Sequence, residues 1–456
     1  MVNIFSIRYY NLSVNHDTMS VYIHYLIKIQ HSRGSKKSMQ KSSVFILIAI
    51  SIIIHTIPSV FGSSNAYAED MAKSRTKPDS IFTPVLVSVL SAPNPVKGSD
   101  GSYHLVYELK VTNATGLTWE IDSIDVTDGA GETLYSLTGD ELKNRTELIK
   151  DKAKTNALPP GETGVIFIHF SIEDESKIPD SIAHNISITV PGGIPAGFLN
   201  FAGLPKDSEA YTYKSDAIKV GSADAIVIGP ALEGKGWIAA DGCCDSTRHV
   251  RAIMPINDKL RTAQRFAIDW EMINGDRKIF VGDPKDVESY FAYGKNVVSV
   301  ADAKVIAAVD KYKDQVPGEL PPGMTLEEAD GNHVVLDLGG GKYALFAHMK
   351  PGSVKAKAGD TVKRGQVMGI VGNTGNSSAP HLHFHVMDGP STLGSNGLPY
   401  LIDSFDLIEK APSTDAFNKA ELEGTPLEVV PVDKPGIHEK ELPLDQSVVV
   451  FPETGE

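Results

Sequence analysis

From Phe82 to about Val220 the chain alternates apolar and polar positions in short runs, such as Val85-Leu86-Val87-Ser88-Val89, Leu105-Val106-Tyr107-Glu108-Leu109 and Val165-Ile166-Phe167-Ile168-His169-Phe170. Turn clusters such as Asn94-Pro95 and Pro159-Pro160-Gly161 separate them. Short strands at that spacing predict a β-sandwich of immunoglobulin-like build over residues 80–222. Its histidines, His104, His169 and His184, are scattered along the sequence and read as ordinary surface or satisfied residues. After a linker and entry strand at Gly221 to Gly234, the chain from Trp237 to about Leu407 is again rich in glycine and short strands, which predicts a second β domain over 235–408. Beyond Pro412 come Pro426, Pro431, Pro435, Pro443 and Pro452 among many acidic residues, the pattern of an extended tail over 412–456. No internal repeat of 20 to 50 residues is present.

One run changes period. Val44 to Ile57 is largely apolar, follows Lys36, Lys37 and Lys41, and leads to Ala66-Tyr67-Ala68. It is shorter than the roughly 20 residues a membrane span needs and has the layout of a secretory signal cut after Ala68, with Met39 as the start. Residues 1–68 thus read as a leader, and the protein as secreted, periplasmic or attached to the cell envelope. At 456 residues, 41% hydrophobic and 22% charged, the chain suits two soluble domains plus tails. Residues 1–68 carry six basic side chains against Asp17, so removing their +5 from the formal charge of −14 leaves −19, which argues against nucleic acid as a partner. Cys243 and Cys244 are the only cysteines, and adjacent cysteines do not reach ordinary disulfide geometry. They are expected to pack against their neighbours.

The stretch with most chemistry is Pro380-His381-Leu382-His383-Phe384-His385, where strand alternation sets three imidazoles on one face and Leu382 and Phe384 on the other. Imidazole is the commonest metal ligand, so this face points to a metal. Upstream, Asn332 to Leu338 and Tyr343 to His348 are strands joined by Gly339-Gly340-Gly341. Next come Gly359-Asp360-Thr361-Val362-Lys363-Arg364-Gly365-Gln366 and the glycine-rich turn Gly372 to Ser378. In this order the elements resemble the lysostaphin-type zinc endopeptidases, over about Asn296 to Val386 and in part over Gln264 to Trp270.

The resemblance implies a lysostaphin-like antiparallel β-sheet of barrel-sandwich hybrid type, a zinc ion, and hydrolysis of peptide bonds in peptidoglycan or a similar cell-wall polymer. It also implies three zinc ligands: a histidine, an aspartate four residues later, and the second histidine of the His-x-His pair. Asp269 and His383 match the last two. The first is replaced by Arg265, whose guanidinium has no lone pair for a metal. Two histidines remain open for the vacancy, His249 ahead of the aspartate and His385 on the histidine strand, about 6.5–7 Å from His383 at strand rise. By the same resemblance His381 steers or deprotonates the attacking water, and His348 hydrogen-bonds the developing oxyanion. A second reading takes Arg265 as salt-bridged to Asp269 across the metal position. That would leave a groove that binds wall peptide or glycan without cutting it, as a regulatory partner would. The long stretches Glu271 to Lys295 and Lys311 to Gly331 are expected to border the groove. Oligomeric state is not legible.

Overall fold

The computed structural model describes residues 81–222, 224–245, 247–320 and 323–453. The expected leader, with its start at Met39 and cleavage after Ala68, lies outside them. The chain is mainly β. Among the described residues no helix is long and apolar enough to cross a membrane.

The alternating N-terminal runs form two antiparallel sheets. One is ordered Val85–Val89, Tyr103–Asn113, Thr163–Ile172, Thr146–Leu148, and the other Ala210–Lys214, Ser181–Thr189, Trp119–Asp128, Thr133–Thr138. Leu105, Tyr107 and Leu109 face Ile121, Ile124, Val126, Ile186 and Ile188 in the core between them. Ile121 and Ile124 break strict alternation, and the register shift between Ile121 and Ser123 restores it so that both turn inward. The opposite face of Tyr103–Asn113 is also covered: Val106, Val165 and Phe167 belong to the same apolar cluster as Trp237, Phe266 and Trp270 of the second β region. Sandwich and second region therefore share a core, which explains why Glu108 is fully buried.

The second region is built on one long sheet. Its central order is Tyr400–Lys410, Ser447–Phe451, Gly234–Ala240, Ile268–Met272, Leu382–Met387, Lys342–Ala347, His333–Gly339, Ala303–Val309. Residues 412–453 of the expected 412–456 tail are not extended chain, contrary to the composition-based expectation. Gly436–Glu441 pairs with Tyr400–Lys410, and Ser447–Phe451 lies between that strand and Gly234–Ala240. The prolines fall outside both strands, where they cost no ladder hydrogen bond, while Val449 and Phe451 are buried on one face of the last strand and Val448 on the other. A helix, Thr414–Glu423, precedes them; Ser413 Oγ caps it by accepting from Ala416 N, and Gly424 ends it in the left-handed region at φ 64°.

Candidate metal centre

Asp269 and His383 are direct cross-strand partners in adjacent antiparallel strands. Their side chains share a face, and His383 Nδ1 lies 2.8 Å from Asp269 Oδ1. On the other oxygen, Asp269 Oδ2 is 3.2 Å from Nε2 of His249, which comes from the loop after the Gly234–Ala240 strand. Donor atoms of His249, Asp269 and His383 all lie within 4.8 Å of one another. Of the two candidate histidines, His249 is brought into this group and His385 is not. His385 Nδ1 is 2.9 Å from His383 Nε2, on the far side of the His383 ring from Asp269, and His385 Nε2 is buried without a partner.

Arg265 does not cross the centre. It is buried in a bidentate ion pair with Glu108 of the sandwich, through Nε at 2.7 Å and Nη2, with further hydrogen bonds to Thr262 Oγ1 and Gly397 O. The expectation of an Arg265–Asp269 salt bridge is overturned because Glu108, wholly withdrawn from water, supplies a better-desolvated partner for the planar fork.

The surroundings choose which ring nitrogens face the carboxylate. His249 Nδ1–H donates to the carbonyls of Asp241, at 2.9 Å, and Ala267, at 3.2 Å, leaving Nε2 toward Asp269. His381 Nδ1–H donates to Ala379 O at 2.7 Å, leaving its Nε2 3.3 Å from Asp269 Oδ1. His348 Nδ1–H donates to Thr374 O at 2.7 Å, and its ring centroid lies 4.8 Å from that of His381. A buried carboxylate ringed by imidazole nitrogens needs cations between the acceptors, either protons or a metal ion. A donor set of two imidazoles and one carboxylate, with backbone carbonyls fixing the outer nitrogen of His249 and His385 that of His383, is the chemistry of a zinc site with an open position. The residues fit the metal that the resemblance implies.

The electrostatics agree. Burial works against ionising Asp269, but the flanking His249 and His381 outweigh it and hold the carboxyl well below its usual range. Burial likewise opposes protonation of His249, yet Asp269 raises that ring to about 9. His348 has no such counter-charge in contact, so burial pushes it well below the usual imidazole value. This bears on its expected role. With Nδ1–H given to Thr374, a neutral His348 offers only a lone pair at Nε2 and donates to an oxyanion only after it has taken a proton.

The glycine-rich turn supplies one of these anchors, Thr374 O, and Ala379, the residue that follows it, supplies another. A Cβ on Gly372 would sit 2.2 Å from Lys350 N, and Gly375, at φ 79°, would carry one 2.4 Å from Gly331 N. Only glycine lets the turn approach the strands this closely. The stretch 311–331, expected at a groove border, braces the turn from behind: Asp314 Oδ1 accepts from Asn373 N, and Asp330 O accepts from His348 N. Sequence reasoning missed these carbonyl anchors, for which the sequence carries no signal. It also missed Glu271, two residues beyond Asp269 on the same strand, which alternation would have placed on the same face. Glu271 is buried, and desolvation together with Glu421, Asp269 and Asp241 raises its carboxyl well above its ordinary value.

Two expectations about the other clusters are also corrected. Cys243 and Cys244 are joined in a disulfide. His104 and His169 are not scattered in space, because the pairing of their strands brings His104 Nδ1 within 3.0 Å of His169 Nε2. His184 is fully buried and bonded to Tyr107 Oη at 2.8 Å, a satisfied residue as expected.

Residues 286–394 match the model of Peptidase family M23, a stretch that takes in His348, His381 and His383 and stops short of His249 and Asp269. Among solved structures, the chain is similar to the catalytic domain of lysostaphin from Staphylococcus simulans, at 22% identity over 36% of this chain and 88% of that one, with a TM-score of 0.20. It is also similar to a zinc-containing peptidase from Vibrio cholerae, at 13% identity over 74% of this chain and 91% of that one, with a TM-score of 0.23. A third is the catalytic domain of the prophage-encoded M23 protein EnpA from Enterococcus faecalis, at 20% identity over 29% and 72% and a TM-score of 0.20. Superpositions this loose carry no weight. What stands is that the chain contains a domain of family M23, whose peptidases are zinc-dependent.

Proposed function

We propose that this chain, with its family M23 domain, is an exported zinc endopeptidase that hydrolyses peptide bonds of peptidoglycan or a similar cell-wall polymer. Zinc is held by His249, Asp269 and His383. The observation that carries the reading is the convergence of those three donors within 4.8 Å, with the outer nitrogen of His249 fixed by backbone carbonyls and that of His383 by His385. Support for the substrate comes from the family, and support for export from the leader-like residues 1–68.

Zinc at this position supplies Lewis acidity, lowering the pKa of a water from 15.7 to about 7 and polarising a carbonyl. The protein's own groups do the rest. His381, with Nδ1–H tied to Ala379 O, accepts the water proton at Nε2 and returns it to the leaving amine. His348 lies against His381, and its low proton affinity keeps it neutral until the reaction delivers a proton, after which its Nε2–H stabilises negative charge on the scissile carbonyl oxygen. His385 takes the Nε2–H of His383, which keeps the His383 Nδ1 lone pair on the metal side.

Zinc content and peptide cleavage test this together. Purified wild type should carry stoichiometric zinc and cleave wall-derived peptides. His383→Ala and His249→Ala should lose both, and His381→Ala should keep zinc while losing about 10²–10⁴-fold in rate. Zinc retained by His249→Ala would reject the ligand set, and zinc-loaded wild type that binds wall peptide without cutting it would reject the enzyme.

A further inference from the structure

A second cluster of metal-ligating side chains shares no donor with the first. A ring nitrogen of His104, one of His169 and Sγ of Cys244 all lie within 4.8 Å of one another, where the sandwich meets the loop that also bears His249. The two rings stack, with centroids 5.3 Å apart and planes 24° from parallel, and His104 Nδ1 faces His169 Nε2 at 3.0 Å. On its outer side His104 Nε2 meets Asp100 Oδ1 at 3.1 Å. With Nε2–H given to that carboxylate, His104 points a lone pair at His169, the carboxylate–imidazole arrangement that orients metal-binding histidines. Two ring nitrogens at this separation need a proton or a cation between them. Burial, with His104 beside it, pushes His169 down to about 3, so this ring is neutral, and the proton its Nε2 gives to His104 Nδ1 is the one a cation between the rings would displace. The third donor is the one the disulfide withholds.

We propose that reduction of the Cys243–Cys244 disulfide opens a second metal site, in which the Cys244 thiolate, His104 and His169 bind a borderline divalent cation of the zinc class. The Cys243 thiolate released by the same step is available for the fourth position. A dithiol supplies the two electrons: exchange breaks the Cys243–Cys244 S–S bond, the dithiol leaves as its own disulfide, and its two protons pass to the cysteine sulfurs. Cys244 then loses its proton to solvent as it binds the cation. Sulfur with two imidazoles is a donor set for zinc and selects against magnesium or calcium. A metal held here ties the sandwich to the loop that carries His249, so the redox state of the cysteines decides whether that cross-link is a metal ion.

Cobalt(II) titration of the full chain, first stripped of metal by a chelator and then titrated before and after dithiothreitol treatment and anaerobic desalting, reads the site directly. The oxidised protein should take up one equivalent with no thiolate-to-cobalt charge-transfer absorption. The reduced protein should take up a second equivalent with that absorption. His169→Ala, and separately the double variant Cys243→Ser/Cys244→Ser, should lose the second equivalent and keep the first. A reduced chain that unfolds by circular dichroism, or that stays folded and takes no second equivalent, overturns the proposal. So does a charge-transfer band that survives in the serine variant. Loss of the first equivalent alone would count against the peptidase reading and leave this one standing.

Discussion

His249 shows how one side chain can be legible in kind and illegible in place. Its imidazole was one of two that could complete a set with Asp269 and His383, and nothing in the sequence separated it from His385. Two backbone carbonyls, Asp241 O and Ala267 O, turn its Nε2 toward Asp269, whereas His385 spends its Nδ1 on the His383 ring. His184 is the counter-case, a histidine with a structural task and a clear pH signature. It is fully buried against Tyr107 and Ser215, and desolvation lowers it from 6.5 to about 4. Because the folded value lies below the unfolded one, the unfolded chain takes up the proton first on acidification. The stability this residue contributes is whole above pH 6.5 and is lost as pH falls towards 4, by on the order of 3 kcal/mol. Thermal melting between pH 7.5 and 4.5 should therefore fall less steeply in His184→Gln than in wild type, and identical slopes would refute the assignment.

Among the elements, the segment Thr262 to Ala267 joins the sandwich to the centre. Arg265, in the position where a family histidine was expected, is held by Glu108 of the Tyr103–Asn113 strand, and two residues later Ala267 O anchors His249. Such a pair, almost entirely out of water, is costly to break singly because the survivor is left charged in the core. Arg265→Met should destabilise the protein by about 3–5 kcal/mol, and adding Glu108→Leu should recover part of that loss. Urea unfolding of the two single variants and the double variant measures the coupling, and strict additivity would show that the two side chains act independently. The glycine-rich turn was readable as an element that aims the histidine strand. The use of Thr374 O and Ala379 O to set His348 and His381 was not, since every residue has a carbonyl and only packing shows which one meets a ring.

At the scale of the molecule, the acidic, proline-bearing C-terminal segment was misjudged from composition. Prolines at strand boundaries and prolines in disorder count equally in a composition, and the apolar run Ser447–Phe451 is short enough to be overlooked beside them. That run lies inside the sheet, between Tyr400–Lys410 and Gly234–Ala240. Truncation after Ala411 should leave two strands without their partner and expose Trp237 and Phe405, giving a chain that is insoluble or rapidly digested in limited proteolysis. A truncated protein with wild-type protease resistance would show that the sheet closes without it.

Taken alone, the sequence determined the strand-rich character of both regions, the histidine strand and the peptidase family of the domain, because these depend on alternation and on motifs a few residues long. The tertiary structure decided which distant imidazole stands beside Asp269 and His383, that Arg265 turns away to Glu108, that His104 and His169 meet beside a disulfide, and that the last strand belongs to the sheet. Each of these brings together groups separated by tens to hundreds of residues, and that proximity is set by register and burial across the whole fold, which no local pattern encodes.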